Sequence, residues 1–173
     1  FRAAVREAFR HRGDHVGFAQ DVTDGDEVRN PQPDAPANAG VVVGGKAVPS
    51  RFRYAERQKE EAYFEDWFRG QGYEVVTLDP GRFFEGAGDL LGFPDTWFGG
   101  YRQRSDIQVF PTLSEWFARE IIPLELVDNR FYHLDTCLCP LSGGELLYFP
   151  PAFDHYGQEV LAERIASSRR LVV

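Results

Sequence analysis

The sequence predicts an α/β fold assembled from a repeated strand–strand–helix–strand unit. Three observations carry that expectation. Short apolar runs of strand length, bounded by Gly or Pro, recur along the chain. Each pair of runs is followed by a longer stretch with apolar residues at helical spacing, and then by another short run. The pattern comes round about three times with a period of roughly 50 residues, within the range of repeated supersecondary units.

The opening "FRAAVREAFRHRG" places Phe1, Val5, Ala8 and Phe9 on one helical face and is stopped by Gly13. "HVGFAQ" reads as a short strand. "DVTDGDEVRNPQPDAPANAG" is polar and rich in Pro and Asp, so it is a loop; a loop of this length in a compact domain usually serves function or is disordered. The first repeat starts with "AGVVVGGKAVPSRF", two strands around Gly44–Gly45. It continues with a helix over "AERQKEEAYFEDWFRGQG", with Ala62, Phe64, Trp67 and Phe68 as core candidates, and the strand "YEVVTL". The second reads "FFEGAGDLL", "TWFGGY", the helix "DIQVFPTLSEWFARE" and the strand "IIPLELV". The third reads "YHLDTCLCPL", "ELLYFPPAF", the helix "HYGQEVLAERIASS" and the strand start "RLVV". Trp67–Phe68 and Trp116–Phe117 occupy like places in successive helices. Residues 1–173 are therefore expected to form a single partial α/β domain, with helices outside and sheets inside.

Composition narrows the function. A hydrophobic content of 43% with 25 aromatic residues (15 Phe, seven Tyr, three Trp) supplies the core of one soluble domain. The net charge of −8 argues against nucleic-acid or anionic-membrane partners. It leaves open a cationic ligand or a merely solvated acidic surface. No apolar run is long enough to span a bilayer and no signal-peptide pattern opens the chain. Cys137 and Cys139 stand two apart on an expected strand, a spacing unsuited to a disulfide, which points to reduced thiols and a cytoplasmic location. The chain contains no Met, so it reads as a fragment or processed product.

The chemistry concentrates in "FYHLDTCLCPL". On a strand, His133, Asp135, Cys137 and Cys139 would share one face. A His oriented by a same-face Asp is the usual arrangement of a general acid–base. Two alternatives stand beside it: a hydrogen-bonded core His next to a surface Asp, and a zinc site, although His-x3-Cys-x-Cys lacks the usual ligand spacing and a fourth ligand. In "FFEGAGDLL", Glu85 sits among apolar residues. Burying its carboxylate demands a partner, which a cationic ligand would provide; the alternative is a bulge that turns Glu85 to solvent. The arginines of "GGYRQRSD" and "RFRYAERQKEE" can fork onto a carboxylate or simply be solvated, and Asp34 can serve a turn. No phosphate-binding loop, Gly-x-Ser-x-Gly elbow or His-Glu-x-x-His helix is present, so nothing points to a nucleotide or flavin.

Taken together and in order, "FEGAGD", "GGYRQRSD" and "FYHLDTCLCPL" resemble the guanidino-group-modifying superfamily of dimethylarginine dimethylaminohydrolases, arginine deiminases and amidinotransferases. The resemblance runs from "PQPDAPANAG" to "LLYFPPAF". It implies a pentein-type five-bladed α/β propeller of ββαβ units around a substrate channel, with about three units present and the C-terminal part missing. It also implies hydrolysis of a guanidino C–N bond of arginine or a methylated arginine, without a cofactor. By the same resemblance His133 is the catalytic acid/base, and Glu85 beside it hydrogen-bonds the guanidinium, which Asp135 also holds. Asp34 contacts substrate from the Pro-Asp loop, shortened here to "PDAPANAG", and Arg57 and Arg104 grip the α-carboxylate. The family's nucleophilic Cys belongs to a later unit, beyond Val173, and neither Cys137 nor Cys139 matches it. The 173-residue chain alone is thus expected to be inactive, and the open edges of an incomplete ring to favour a homo-oligomer. Alternatives are an amidinotransferase, a non-catalytic guanidino-binding domain and a zinc-binding module.

Overall fold

The computed structural model describes residues 38–93 and 96–173. The expected helix over 1–13, the strand "HVGFAQ" and the loop position Asp34 lie outside the described residues.

Gly44 and Gly45, with φ of +56° and +83°, close a two-residue turn between strands β1 (Gly40–Val43) and β2 (Lys46–Pro49). Both positions need the left-handed backbone that matches the twist of a tight hairpin. The pair is antiparallel, Val41 opposite Val48. A parallel third strand requires a crossover, made by the short helix α1 (Ala55–Gln58) and helix α2 (Glu61–Gly70). The chain then returns as β3 (Glu74–Val75) beside β2.

The second unit repeats the scheme with β4 (Leu90–Phe93), β5 (Thr96–Tyr101), α3 (Val109–Phe117) and β6 (Ile121–Glu125). The third does so with β7 (Leu138–Pro140), β8 (Leu146–Tyr148), α4 (His155–Arg164) and β9 (Arg170–Val172). Among the described residues the strands form three sheets, β1-β2-β3, β4-β5-β6 and β7-β8-β9. In each, the first pair is antiparallel and the strand after the helix is parallel.

The apolar clusters join neighbouring units. Val41, Val43 and Val48 of the first sheet pack with Leu90, Trp97 and Ile121 of the second and with Val109, Phe110, Leu113 and Phe117 of α3. Leu91, Phe98 and Leu124 of the second sheet pack with Leu138, Leu146 and Leu161 of the third unit. Helix α3 lies so close that a Cβ on Gly99 would come within 2.5 Å of the Phe110 ring, so β5 needs glycine there. Consecutive units are thereby held by continuous apolar burial, the main stabilising force of such an array.

Several expected elements are modified. The predicted helix over 55–72 is interrupted after Gln58, and only Phe64 and Phe68 of its four core candidates are buried. Ala62 is exposed because it lies two residues, over half a turn, from Phe64; Trp67 is half-buried at the edge of the stripe. The strand expected over "YEVVTL" shrinks to Glu74–Val75, since its partner β2 runs into Pro49, which has no amide to extend a ladder. "FFEGAGDLL" and "YHLDTCLCPL" are not continuous strands: each carries a 3-10 turn, Gly86–Gly88 and Leu134–Thr136, before its strand. Among the described residues no helix is long and apolar enough to cross a membrane.

Candidate functional site

Three chain segments occupy the same place in successive units, immediately before the first strand: Asn38 before β1, Glu85–Asp89 before β4, and His133–Cys137 before β7. They converge on one another. His133 Nε2 lies 3.0 Å from Asn38 Nδ2 and 3.4 Å from Glu85 Oε2, while Nδ1 lies 3.3 Å from Asp89 Oδ1. Glu85 is 0% exposed, Asp89 1% and His133 4%, so these ionisable groups face each other away from bulk water.

Local backbone chemistry makes the convergence possible. Gly86 has φ of +63°, and a Cβ there would approach Ser50 Oγ to 2.7 Å. The tight left-handed step turns the chain at Glu85 where a strand would have continued. A Cβ on Gly88 would lie 2.8 Å from the Asn38 amide, so its absence lets Asn38 lie over the turn and reach the His133 ring. His133 itself is extended, and the turn begins one residue later. The strand alternation expected for His133, Asp135, Cys137 and Cys139 therefore does not hold; the 3-10 turn breaks it between His133 and Cys137.

The buried carboxylates are well supplied with donors, the condition for burying them at all. Glu85 Oε1 accepts the Arg53 amide at 3.1 Å, and Oε2 accepts Arg104 Nη1 at 3.2 Å. Asp89 Oδ1 accepts the Leu134 amide at 3.1 Å. The Ser105 hydroxyl links the two acids: it accepts the Glu85 amide at 3.0 Å and donates to Asp89 Oδ2 at 2.6 Å. The alternative of a bulge that turns Glu85 to solvent thus falls away: the carboxylate is fully buried and paired with a cation.

The Nδ1–Asp89 approach is a close charge contact, not an aligned hydrogen bond. Burial disfavours imidazolium, but Asp89, and behind it the charges of Asp135 and Glu85, outweigh burial and raise the His133 pKa above its ordinary value. The ring is thereby disposed to hold a proton that it can donate. The two thiols are disposed the other way. Burial, with Asp135 behind it, pushes Cys139 up to about 11. Burial also raises Cys137, whose Sγ points at the Leu134 carbonyl. Neither has the electropositive surroundings of a reactive cysteine.

Of the sequence-predicted site residues, the structure brings Glu85, His133 and Arg104 together. Asp135 is half-buried on the turn after His133, near enough for its charge to act on the imidazole. Arg57 stands on α1, its Nε and Nη2 on Glu60 Oε1 and Oε2 at 3.1 and 2.7 Å, and its guanidinium over the Phe52 ring. Asp34 lies outside the described residues. Asn38, Asp89, Ser105 and the Arg53 amide were not singled out from sequence. Asp89 closes the "FEGAGD" motif and was legible there as a second acid; the Ser105 bridge and the Arg53 amide carry no sequence signal. The zinc reading falls away: among the described residues no group of His, Cys, Asp and Glu is placed to hold a metal ion, and Cys137 is turned to a backbone carbonyl.

No family model matches the chain. Individual relatives do. The bifunctional arginine dihydrolase/ornithine cyclodeaminase ArgZ of Synechocystis sp. is 49% identical over 139 residues, 79% of this chain and 20% of the relative. The N(G),N(G)-dimethylarginine dimethylaminohydrolase of Mycobacterium tuberculosis is 38% identical over 126 residues, 73% of this chain and 41% of the relative. A crystal structure of the substrate-bound N-terminal domain of ArgZ, described as an arginine dihydrolase from the ornithine–ammonia cycle in cyanobacteria, superposes with a TM-score of 0.77 at 48% identity, covering 79% of this chain and 51% of that one. The chain thus spans about a fifth of the length of the cyanobacterial bifunctional relatives it matches. Similarity at this level to both an arginine dihydrolase and a dimethylarginine dimethylaminohydrolase makes this chain a homologue of the enzymes of the guanidino-group-modifying superfamily.

Proposed function

We propose that this chain carries the guanidinium-binding and proton-transfer half of a hydrolase that cleaves a guanidino C–N bond of arginine or a methylated arginine. The supporting observation is the fully buried Glu85 carboxylate, placed against the His133 imidazole and already paired with a guanidinium, that of Arg104. Three ββαβ units fit three blades of a five-bladed propeller, with residues 1–173 forming part of one catalytic domain.

In this reading Glu85 and Asp135 hold the planar cation, and Arg104 grips the α-carboxylate. Arg57 joins it on release from Glu60, and Asp34 contacts substrate from its loop. A Cys thiolate outside these 173 residues adds to the guanidinium carbon. His133 protonates the departing amine as the C–N bond breaks, leaving a thiouronium. The neutral imidazole then takes a proton from water as that water attacks the same carbon, and the C–S bond breaks to release a ureido product and regenerate the thiolate. The raised His133 pKa supports the first step, which needs a protonated ring. The chemistry calls for no cofactor.

The deciding experiment incubates the full-length gene product with arginine and with asymmetric dimethylarginine. Release of citrulline, or of ornithine and ammonia, is expected; absence of turnover on every guanidino compound sinks the reading. Burial, which raises the pKa of both thiols, favours a second reading for the 173-residue chain by itself: it binds guanidino compounds without turning them over.

A further inference from the structure

We propose that Arg104 is an internal stand-in for substrate, so that the site accepts a guanidino cation only when that ligand also brings a carboxylate to receive the displaced Arg104. This rests on the function proposed above and adds a selection rule to it.

The argument begins with charge. Glu85 is 0% exposed, and a fully buried carboxylate is strongly stabilised by a cation beside it. The guanidinium facing it is that of Arg104, with Nη1 3.2 Å from Oε2. The same group lies over two rings, its Cζ 4.5 Å from the Tyr54 centroid and 5.1 Å from that of Tyr132. A carboxylate at one edge and phenol faces alongside form a seat suited to a guanidinium, and the chain's own side chain fills it.

The root of Arg104 is fixed, whereas its head, held by Glu85 and two rings, borders solvent. The Arg104 carbonyl accepts Arg53 Nε at 3.1 Å, and Ser105 beside it is locked between Glu85 and Asp89. Gln103 is tied to the Leu126 carbonyl and to Asn129. The head, by contrast, is covered by rings that are themselves 50% and 42% exposed, Tyr54 and Tyr132, which leaves a solvent-side path for rotation.

An incoming guanidinium restores the charge balance at Glu85 but strands Arg104. A ligand without a carboxylate leaves that arginine unpartnered; an α-amino acid offers it a two-pronged acceptor. Recognition of the two ends of the ligand is therefore coupled through one residue.

Titration calorimetry on the 173-residue chain tests this with arginine, agmatine (the same cation without the carboxylate) and acetate. In the wild-type chain arginine is expected to bind at least about tenfold tighter than agmatine, the ratio for one charge-assisted contact. In Arg104→Gln and Arg104→Ala, agmatine is expected to tighten several-fold and arginine to weaken to meet it. In the wild-type chain, acetate is expected to tighten agmatine binding by occupying the displaced arginine, a measurement that needs no variant. Unchanged or weaker agmatine binding in both variants, or no effect of acetate, overturns the role given to Arg104 while leaving the proposed function standing, provided arginine binds. No binding of any guanidino compound by wild type or variants overturns both.

Discussion

Oδ1 of Asp89 lies 3.3 Å from Nδ1 of His133 and also accepts the amide of Leu134, the next residue, at 3.1 Å. One carboxylate oxygen from the second unit thus both fixes the start of the third unit's turn and biases the charge of the ring that precedes it. Asp89 is in turn held by Ser105, so residues far from His133 in sequence help to position its imidazole.

Asp89→Asn is expected to lower the His133 pKa, since it removes the strongest of the groups that raise it. NMR titration of the ring reads this directly. The sign for stability follows from linkage. A His whose folded pKa is raised adds stability that is complete below its unfolded pKa and is lost as pH rises through the folded value. The wild-type chain should lose that contribution on going alkaline, and the variant should show a flatter dependence. An unchanged ring titration would show that Asp89 is only a backbone cap.

Glu85→Gln keeps the shape of the side chain and removes its charge. Loss of one charge-assisted contact to a guanidinium corresponds to about 1.5–3 kcal/mol, or roughly ten- to 150-fold in affinity. Calorimetry with arginine checks it; affinity within twofold of wild type would mean that the cation sits elsewhere.

Gly88→Ala is expected to disturb the site more than the fold. The added Cβ would meet the Asn38 amide at 2.8 Å and push it off His133 Nε2. Arginine affinity should fall while the thermal midpoint moves by only a few degrees. Gly86→Ala should instead destabilise by about 1–2 kcal/mol, because its φ of +63° is strained for any residue with a Cβ. Equal thermal shifts for the two variants would contradict this division.

Cys137 and Cys139 should react slowly with thiol reagents at neutral pH. With a pKa of about 11, Cys139 is a thiolate in only about one molecule in ten thousand at pH 7. Mass spectrometry after brief iodoacetamide treatment should find both unmodified, and Cys139→Ser should leave arginine affinity unchanged. Rapid alkylation of either thiol would reopen it as a nucleophile.

Much of the fold was legible because it is written in local chemistry. The paired glycines at 44–45 dictate a hairpin, and Phe64 and Phe68 mark one helical face. The recurrence of the pattern reveals a unit that cannot cover its own apolar surface without a neighbour. Glu85, His133 and Arg104 were legible as a group through motif resemblance. Alternation misled at "HLDTCLC", where the backbone leaves extended geometry for a single turn, anchored by the Asp89–Leu134 hydrogen bond. Nothing within that stretch announces the turn, because the acceptor that holds it lies 45 residues earlier.

By itself, then, the sequence determined the repeating unit, the apolar faces that stack units together, and the residue types of a buried acid–imidazole cluster. Tertiary structure alone decided which acid faces which nitrogen of His133, that Glu85 is buried on the Arg104 guanidinium, and that Arg57 is held on Glu60. The physical reason is range. Turn and helix preferences act over a few residues, whereas a buried charge is stabilised by whatever donors the packed units bring to it from distant parts of the chain.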